Sequence, residues 1–295
     1  MPPNATALAL TAIGLWSFLA YLGARVSHLS PFLVVGLALT FSGLLGLPLI
    51  RAWRVSLRTY LVGIGGLFGY HFLYFSAFRH APAIGANLIN YLWPLLIVVL
   101  SPLLLRSTPL RSHHLIGAVV GFAGAGLIVT GGRVSLDLAH LRGYLIMTGA
   151  ALTWATYSLL TKRLPLFPTG AVGGFCLASG LLSMGIYALR AQPGMLMPEL
   201  SLRDGLALVA LGLGPMGAAF HAWDAALKRG DPKVIGSLAY LTPLFSTLVL
   251  VALGGRMLTW TAGAAMTLIV SGVLIGSLDL WRPGSRPRAV GTADG

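Results

Sequence analysis

Residues 83–105 read AIGANLINYLWPLLIVVLSPLLL, and residues 233–253 read KVIGSLAYLTPLFSTLVLVAL. The first run carries no charge, and the second carries none after its opening lysine. A hydrocarbon slab about 30 Å thick takes roughly 20 apolar residues of helix, so each run has the length of one crossing. Each also sets a tyrosine three residues before a mid-run proline, Tyr91 with Pro94 and Tyr240 with Pro243. A proline inside a helix removes a backbone hydrogen bond and bends it. Two bent apolar helices with the same local sequence, half a chain apart, point to a duplicated membrane protein.

The rest of the 295 residues fits that reading. Comparable apolar runs lie at about 6–23, 31–50, 59–78, 83–105, 113–131, 142–161, 170–190, 203–226, 233–253 and 259–280, ten in all. Hydrophobic residues make up 56% and charged residues only 9%, with a mean hydropathy of +0.84. A soluble domain carries about 25% charged residues, so a water-exposed surface is excluded. The 38 glycines lack a three-residue period and sit inside apolar runs, which excludes a collagen-like or disordered chain. The runs are continuously apolar rather than alternating, which excludes a β-barrel. The first run has no basic stretch before it and no small-residue cleavage site after it, so it reads as a retained span. The fold class expected is an all-α integral membrane protein of ten helices.

Charge then orients the chain. Twenty Lys and Arg against seven Asp and Glu give +13, and the basic residues are scattered between apolar runs rather than set on one face, so nucleic acid is not an expected partner. One side takes Arg51, Arg54, Arg58, Arg106, Arg111, Lys162, Arg163, Lys228, Arg229, Lys233, Arg282, Arg286 and Arg288; the other takes Arg25, Arg79, Arg133, Arg142, Arg190, Arg203 and Arg256. Thirteen against seven places the richer side, with both termini, in the cytoplasm. An even number of spans follows. Residues 282–295 read as a disordered cytoplasmic tail. The single cysteine, Cys176, allows no intrachain disulfide.

The duplication extends beyond the two quoted runs. Trp16 and Trp154 occupy matching points of the first and sixth spans; Gly66-x-x-Gly69 returns as Gly214-x-x-Gly217, and Gly117 and Gly126 as Gly263 and Gly272. This gives a first unit over 1–131 and a second over 132–281. Each holds five spans, an odd number, so the second must be inverted relative to the first. Inverted repeats with a site between the halves are a recurring architecture of transporters. The expected arrangement is two inverted five-helix repeats around a central cavity.

Polar and aromatic residues at helical spacing mark the lining of that cavity, because lipid-facing positions should be plainly apolar. Span four offers Asn87, Asn90, Tyr91 and Pro94, with Trp93 beside them. Span six offers Trp154, Tyr157, Ser158 and Thr161, and span three offers His71, Tyr74, Phe75 and Phe78 next to Tyr70. Span eight offers Phe220, Trp223, Asp224 and Leu227, and span one offers Trp16. From these the candidate substrate-binding residues are Trp16, His71, Tyr74, Asn90, Tyr91, Trp93, Pro94, Trp154 and Tyr157. Asp224, Trp223, Tyr240 and Pro243 are candidates for a gate or a coupling site. Trp53, Trp260 and Trp281 stand at span ends as headgroup anchors. The sequence leaves Trp223 open between anchor and cavity, and Asp224 between a functional site and an i,i+4 pair with Lys228. His113 and His114, adjacent and therefore on different sides of a helix, read as an interfacial pair, and no metal or cofactor is expected. Gly117-x-x-x-Gly121 and Gly272-x-x-x-Gly276 are close-packing motifs within one chain or between two.

At these residues the chain resembles the ten-span drug/metabolite transporter superfamily, specifically its EamA-type exporters. Trp154 to Arg163 (WATYSLLTKR) is similar to the start of that group's second repeat, and Asn90 to Pro94 with Ala222 to Asp224 is similar to a branch of aromatic amino-acid exporters. The resemblance implies amino-acid export, with Tyr91, Trp93, Pro94 and Trp154 as cavity residues. Asp224 and His71 depart from the pattern, which leads one to expect asparagine and an acid there. The expected partners are small neutral amino acids and the lipid bilayer, with no obligate protein partner. An enzyme is disfavoured, since neither Gly-x-Ser-x-Gly nor His-Glu-x-x-His occurs. Efflux of lipophilic drugs or other neutral metabolites, and a membrane scaffold, are the competing readings.

Overall fold

The structure is a computed structural model that describes residues 1, 3–105, 109–133, 136–190, 198–255 and 257–280. Trp281 and the expected tail over 282–295 lie outside the described residues. Among these residues the chain is helical throughout, and each apolar run of the sequence carries a helix or a broken one. The helices are α1 (Pro3–Trp16), α2 (Leu19–Arg25), α3 (Pro31–Leu45), α4 (Leu57–Ala77), α5 (Ala83–Asn90), α6 (Leu92–Leu104) and α7 (Ser112–Thr130). They continue with α8 (Leu141–Arg163), α9 (Ala171–Arg190), α10 (Leu202–Leu213), α11 (Ala219–Arg229), α12 (Pro232–Ala239), α13 (Leu241–Gly254) and α14 (Trp260–Gly276).

Six helices or joined pairs are long and apolar enough to cross a bilayer: Asn4–Arg25, Ala83–Leu104, Ser112–Thr130, Ala171–Arg190, Leu202–Arg229 and Pro232–Gly254. The second apolar run differs from its expected 31–50. Helix α3 stops at Leu45, and the chain turns by 84° into a 3-10 segment, Leu47–Trp53. Pro48, without an N–H to donate, opens that segment. Helix α3 alone is about 22 Å long at 1.5 Å per residue. Helices α4 and α8 are long enough to cross but less apolar, because they carry Tyr70, His71 and Tyr74, and Trp154, Tyr157, Ser158 and Thr161. They pack on each other in the middle of the bundle. Outside, leucines such as Leu57, Leu61, Leu103, Leu145 and Leu206 are exposed, as a lipid-facing wall requires.

The principal helix pairs join the two halves of the chain: α4 with α8, α1 with α11, α3 with α9, α7 with α14, and α6 with α12. Exchanging the halves carries α4–α8 into α1–α11 and leaves α3–α9 and α7–α14 unchanged. The sequence left the two Gly-x-x-x-Gly motifs open between one chain and two; in the structure they meet within the chain. A Cβ built on Gly117 would lie 2.3 Å from the backbone N of Gly276, and one on Gly272 2.4 Å from that of Gly121. The α7 and α14 backbones therefore touch, in the way small residues let membrane helices approach.

Both proline-bearing spans are broken where the sequence places the bend. Helix α5 ends at Asn90 and α6 starts at Leu92; α12 ends at Ala239 and α13 starts at Leu241. Pro94 and Pro243 each lack the N–H that would reach the carbonyl four residues back, on Asn90 and Ala239. A third irregularity also contains a proline, Pro215: residues Gly214–Ala218 form a π-turn between α10 and α11. Overpacking by a large side chain costs about 1–3 kcal/mol or more. Gly117→Leu or Gly272→Leu is therefore expected to lower the thermal stability of the purified protein sharply. Gly263→Ala, where nothing lies within 4 Å of an added Cβ, is expected to leave it unchanged in the same melting assay.

Candidate functional site

The breaks at Tyr91 and Tyr240 and the π-turn lie close together around a group of tryptophans. Trp16, at the end of α1, meets Trp93 at 6.1 Å, Trp154 at 5.8 Å and Trp223 at 5.0 Å between ring centroids. Trp93 meets Trp154 at 6.4 Å and Trp223 at 5.6 Å, mostly edge to face. Phe220 closes the group against Trp16 and Trp154. Edge-to-face aromatic pairs each contribute about 0.5–1.5 kcal/mol beyond the burial of their area. Four spans from both halves are thus tied at one point.

Two of these indoles have specific polar partners. The Trp16 indole N–H donates to the carbonyl of Pro215 inside the π-turn, at 3.1 Å. The Trp223 indole N–H donates to Ser158 Oγ at 3.0 Å. Trp223 is 1% exposed, so of the two roles the sequence left open it takes the interior one. Trp260, at 96% exposure, stands outside the bundle, where a headgroup anchor belongs. Trp53 packs instead against Gly173 and Gly174 of α9.

On the α4–α5 side of the tryptophans lies a more open, polar group. The Tyr74 hydroxyl donates to Asn87 Oδ1 at 2.9 Å, and Asn90 Nδ2 donates to the Tyr70 hydroxyl at 3.4 Å. Tyr70 also stacks obliquely on Trp154, 5.3 Å away, and joins the two groups. His71 is buried between Phe75 and Phe220. Its Nδ1 lies 2.7 Å from the carbonyl of Leu67; a carbonyl only accepts, so the proton sits on Nδ1 and Nε2 keeps its lone pair. Tyr91 and Tyr240 stand at the two helix breaks, and the Tyr240 hydroxyl donates to the carbonyl of Tyr91 at 3.4 Å. Pro94 and Pro243 are buried just beyond them. Tyr157 packs on Trp154 at 5.5 Å, with its ring over Gly66.

Asp224 is buried and paired, and its partners go beyond the sequence reading. Its Oδ2 accepts from Lys228 at 2.6 Å, the i,i+4 pair, and also from Thr169 Oγ1 at 2.7 Å. Lys228 Nζ donates in addition to the carbonyl of Phe167 at 2.9 Å and lies over its ring. Thr169 and Phe167 sit in the connection between α8 and α9, where periodicity gives no sign of them.

His113 and His114 correct the sequence reading in another way. Although neighbours, both reach Asp279: His113 Nε2 is 3.4 Å from Oδ1 and His114 Nε2 is 3.1 Å from Oδ2, while Arg111 Nη1 donates to Oδ1 at 2.8 Å. Two imidazoles and a carboxylate at this spacing have the composition of a metal site. The protons argue otherwise. His114 Nδ1 accepts from the backbone N–H of Arg111, so its proton is on Nε2, where a metal would have to bind. The Arg111 guanidinium already neutralises the carboxylate. The group is an ionic clasp between the start of α7 and the end of α14. Burial pushes the Asp279 carboxyl up, but His114, Arg111 and His113 together outweigh it and hold it below the usual carboxylate value.

A bundle duplicated across its own midline, broken at its centre and walled there by aromatic rather than charged groups, is the architecture of a membrane transporter. The chain belongs to the EamA-like transporter family, whose model matches residues 4–130 and again 141–278. It is a multi-pass membrane transporter of the drug/metabolite superfamily, not an enzyme. It is 39% identical, over 93% of its length and 97% of the relative's, to the aromatic amino acid exporter YddG of Ancylobacter novellus. It is 29% identical, over 94% and 97%, to the protein of that name in Salmonella typhimurium, and 25% identical to the biotin transporter of Escherichia coli, over 97% and 96%. A solved crystal structure at 38% identity superposes with a TM-score of 0.87, over 96% of this chain and all of that one.

A depressed carboxyl stabilises the fold above its unfolded value, about 3.9, and that contribution is lost as pH falls through the lower folded value. Asp279→Asn is expected to lower the melting temperature at pH 7. It is also expected to flatten the loss of stability below about pH 4, read by a melting series against pH.

Proposed function

We propose that the chain is a secondary transporter exporting amino acids across the inner membrane by alternating access. Its preferred substrates are aromatic and other large neutral amino acids, with threonine and methionine as further candidates. The observation that carries this reading is the packing of Trp16, Trp93, Trp154 and Trp223 at the junction of the halves, next to hydroxyl and amide groups. Separated by a substrate, these rings offer flat apolar walls to an aromatic side chain and π-faces to its ammonium. His71 Nε2, Asn90 and the carbonyls freed at the helix breaks supply acceptors and donors for the rest of a zwitterion. The names of the relatives support the same substrate class, while the biotin transporter keeps other small metabolites as the second reading.

The topology we propose has ten crossings in two inverted five-helix repeats, 1–131 and 132–281, with both termini in the cytoplasm. Support comes from the pairings at each end. At one end, Met1 packs on Gly230, Lys162 donates to the carbonyl of Gly230, and the Asp279 clasp lies near Lys233. At the other, His28 pairs with Asp204, Ala81 packs on Gly143, and Arg190 lies over Phe32. The first end takes Arg111, Lys162, Lys228 and Lys233 of the richer set of basic residues.

Alternating access is supported by an inequality between equivalent pieces. Helix α12 and Tyr240 after it are wholly buried, whereas α5, its counterpart, leaves Ala83 and Ile84 exposed and Asn87 to Ile89 half-buried. The basic end is sealed around α12, and the opposite end is looser around α5. Liposomes containing the protein are expected to carry phenylalanine and tryptophan faster than empty ones, with ethidium excluded; absence of any amino-acid flux removes the substrate assignment. Tyr91→Ala and Trp154→Ala are expected to cut that flux by about tenfold or more while the protein still elutes as a folded species, since one lost aromatic contact is worth about 1.4 kcal/mol. Wild-type rates would move the path elsewhere.

A further inference from the structure

The two halves differ where Asp224 lies. The glycine pairs Gly66/Gly214 and Gly69/Gly217 set one offset between α4 and the α10–α11 span. Carried forward, it pairs Phe72 with Phe220, Phe75 with Trp223, Ser76 with Asp224 and His80 with Lys228. Aromatic residues recur at the first two positions and the ion pair does not recur at the last two. Ser76 Oγ is buried without a hydrogen-bond partner. Asp224, by contrast, binds Thr169 and Lys228, and Lys228 binds the carbonyl of Phe167. The basic end therefore carries a tie of two hydrogen bonds from α11 to the α8–α9 connection, braced by the Asp224–Lys228 pair within α11, and at the equivalent place the opposite end carries none among the described residues.

We infer that Asp224, Lys228 and Thr169 form a releasable lock that holds the basic end shut and makes the state closed at that end the resting state. The inference rests on the alternating-access reading above. Three observations carry it. Asp224 follows Trp223 directly, so any movement that parts Trp223 from Trp16, Trp93 and Ser158 also pulls on the tie. The tie spans two elements that must separate for a path to open between α8 and α11. Its remaining oxygen, Asp224 Oδ1, is buried with no partner. An orphaned carboxylate oxygen is costly while dry and is satisfied as soon as water reaches it, so opening the gate recovers part of what breaking the tie loses. The three residues are positioning residues: they set which end is open.

The test uses the full chain with Cys176→Ala and a reporter cysteine, Thr161→Cys, one turn from Ser158 toward the basic end. A membrane-impermeant maleimide is applied to inside-out vesicles, where the basic end faces the reagent. Low labelling is expected without further change, and about a tenfold rise in labelling rate with Asp224→Asn or Thr169→Val as the population shifts toward the open state. Thr169→Ser, which keeps the hydroxyl, is expected to restore protection. Equal labelling in all four proteins overturns the lock. Should Asp224→Asn fail to fold, Thr169→Val decides alone, because Thr169 is a half-buried loop residue. Phenylalanine flux on the same preparations separates the two readings. Changed labelling without flux removes the substrate assignment and keeps the lock, whereas flux with unchanged labelling removes the lock and keeps the assignment.

Discussion

A bilayer interior offers no water, so each N–H and C=O of a crossing segment must find its partner inside the protein. That requirement makes the described crossing segments helical and also dictates where they can stop being helical. The breaks at Tyr91 and Tyr240 and the π-turn at Gly214–Ala218 all lie in the interior, beside groups that bond the nearby backbone. Trp16 donates to the carbonyl of Pro215, and the Tyr240 hydroxyl donates to the carbonyl of Tyr91. Irregular backbone gathered at one depth is costly unless something uses it, and it is here that the aromatic residues of both halves converge.

Around this centre the scaffold is built from backbones in contact. Gly117 and Gly121 on α7 meet Gly272 and Gly276 on α14, and Gly66 on α4 lies under Tyr157 on α8. Such contacts leave no room for sliding, which suits a frame. The α8–α9 connection and the short halves of the broken helices are held instead by hydrogen bonds and ion pairs.

Much of this was legible in the amino-acid order. The helices are visible because each needs its own apolar run. The duplication is visible because Tyr-Leu-x-Pro and the glycine pairs recur in order. Pro94 and Pro243 mark their bends because the missing N–H is written into the residue. What periodicity supplies is the face of a helix, and it says nothing of the partner across the gap. Hence the sequence shows Asp224 beside Lys228 but not Thr169, fifty-five positions away. It shows two histidines but not the Asp279 they share, and it places Trp223 on a face without giving its depth. The turn of 84° after Leu45 and the π-turn depend on packing around Pro48 and Pro215, and either proline alone is compatible with a simple kink.

Four of the seven tryptophans stand with ring centroids 5.0–6.4 Å apart. Indoles this close share their electronic excitation, so near-ultraviolet circular dichroism and fluorescence are dominated by one coupled chromophore instead of by separate residues. Any state in which the halves part at the centre breaks that coupling. The molecule thus carries an intrinsic optical gauge of how closely its halves meet at the centre, readable without label or substitution.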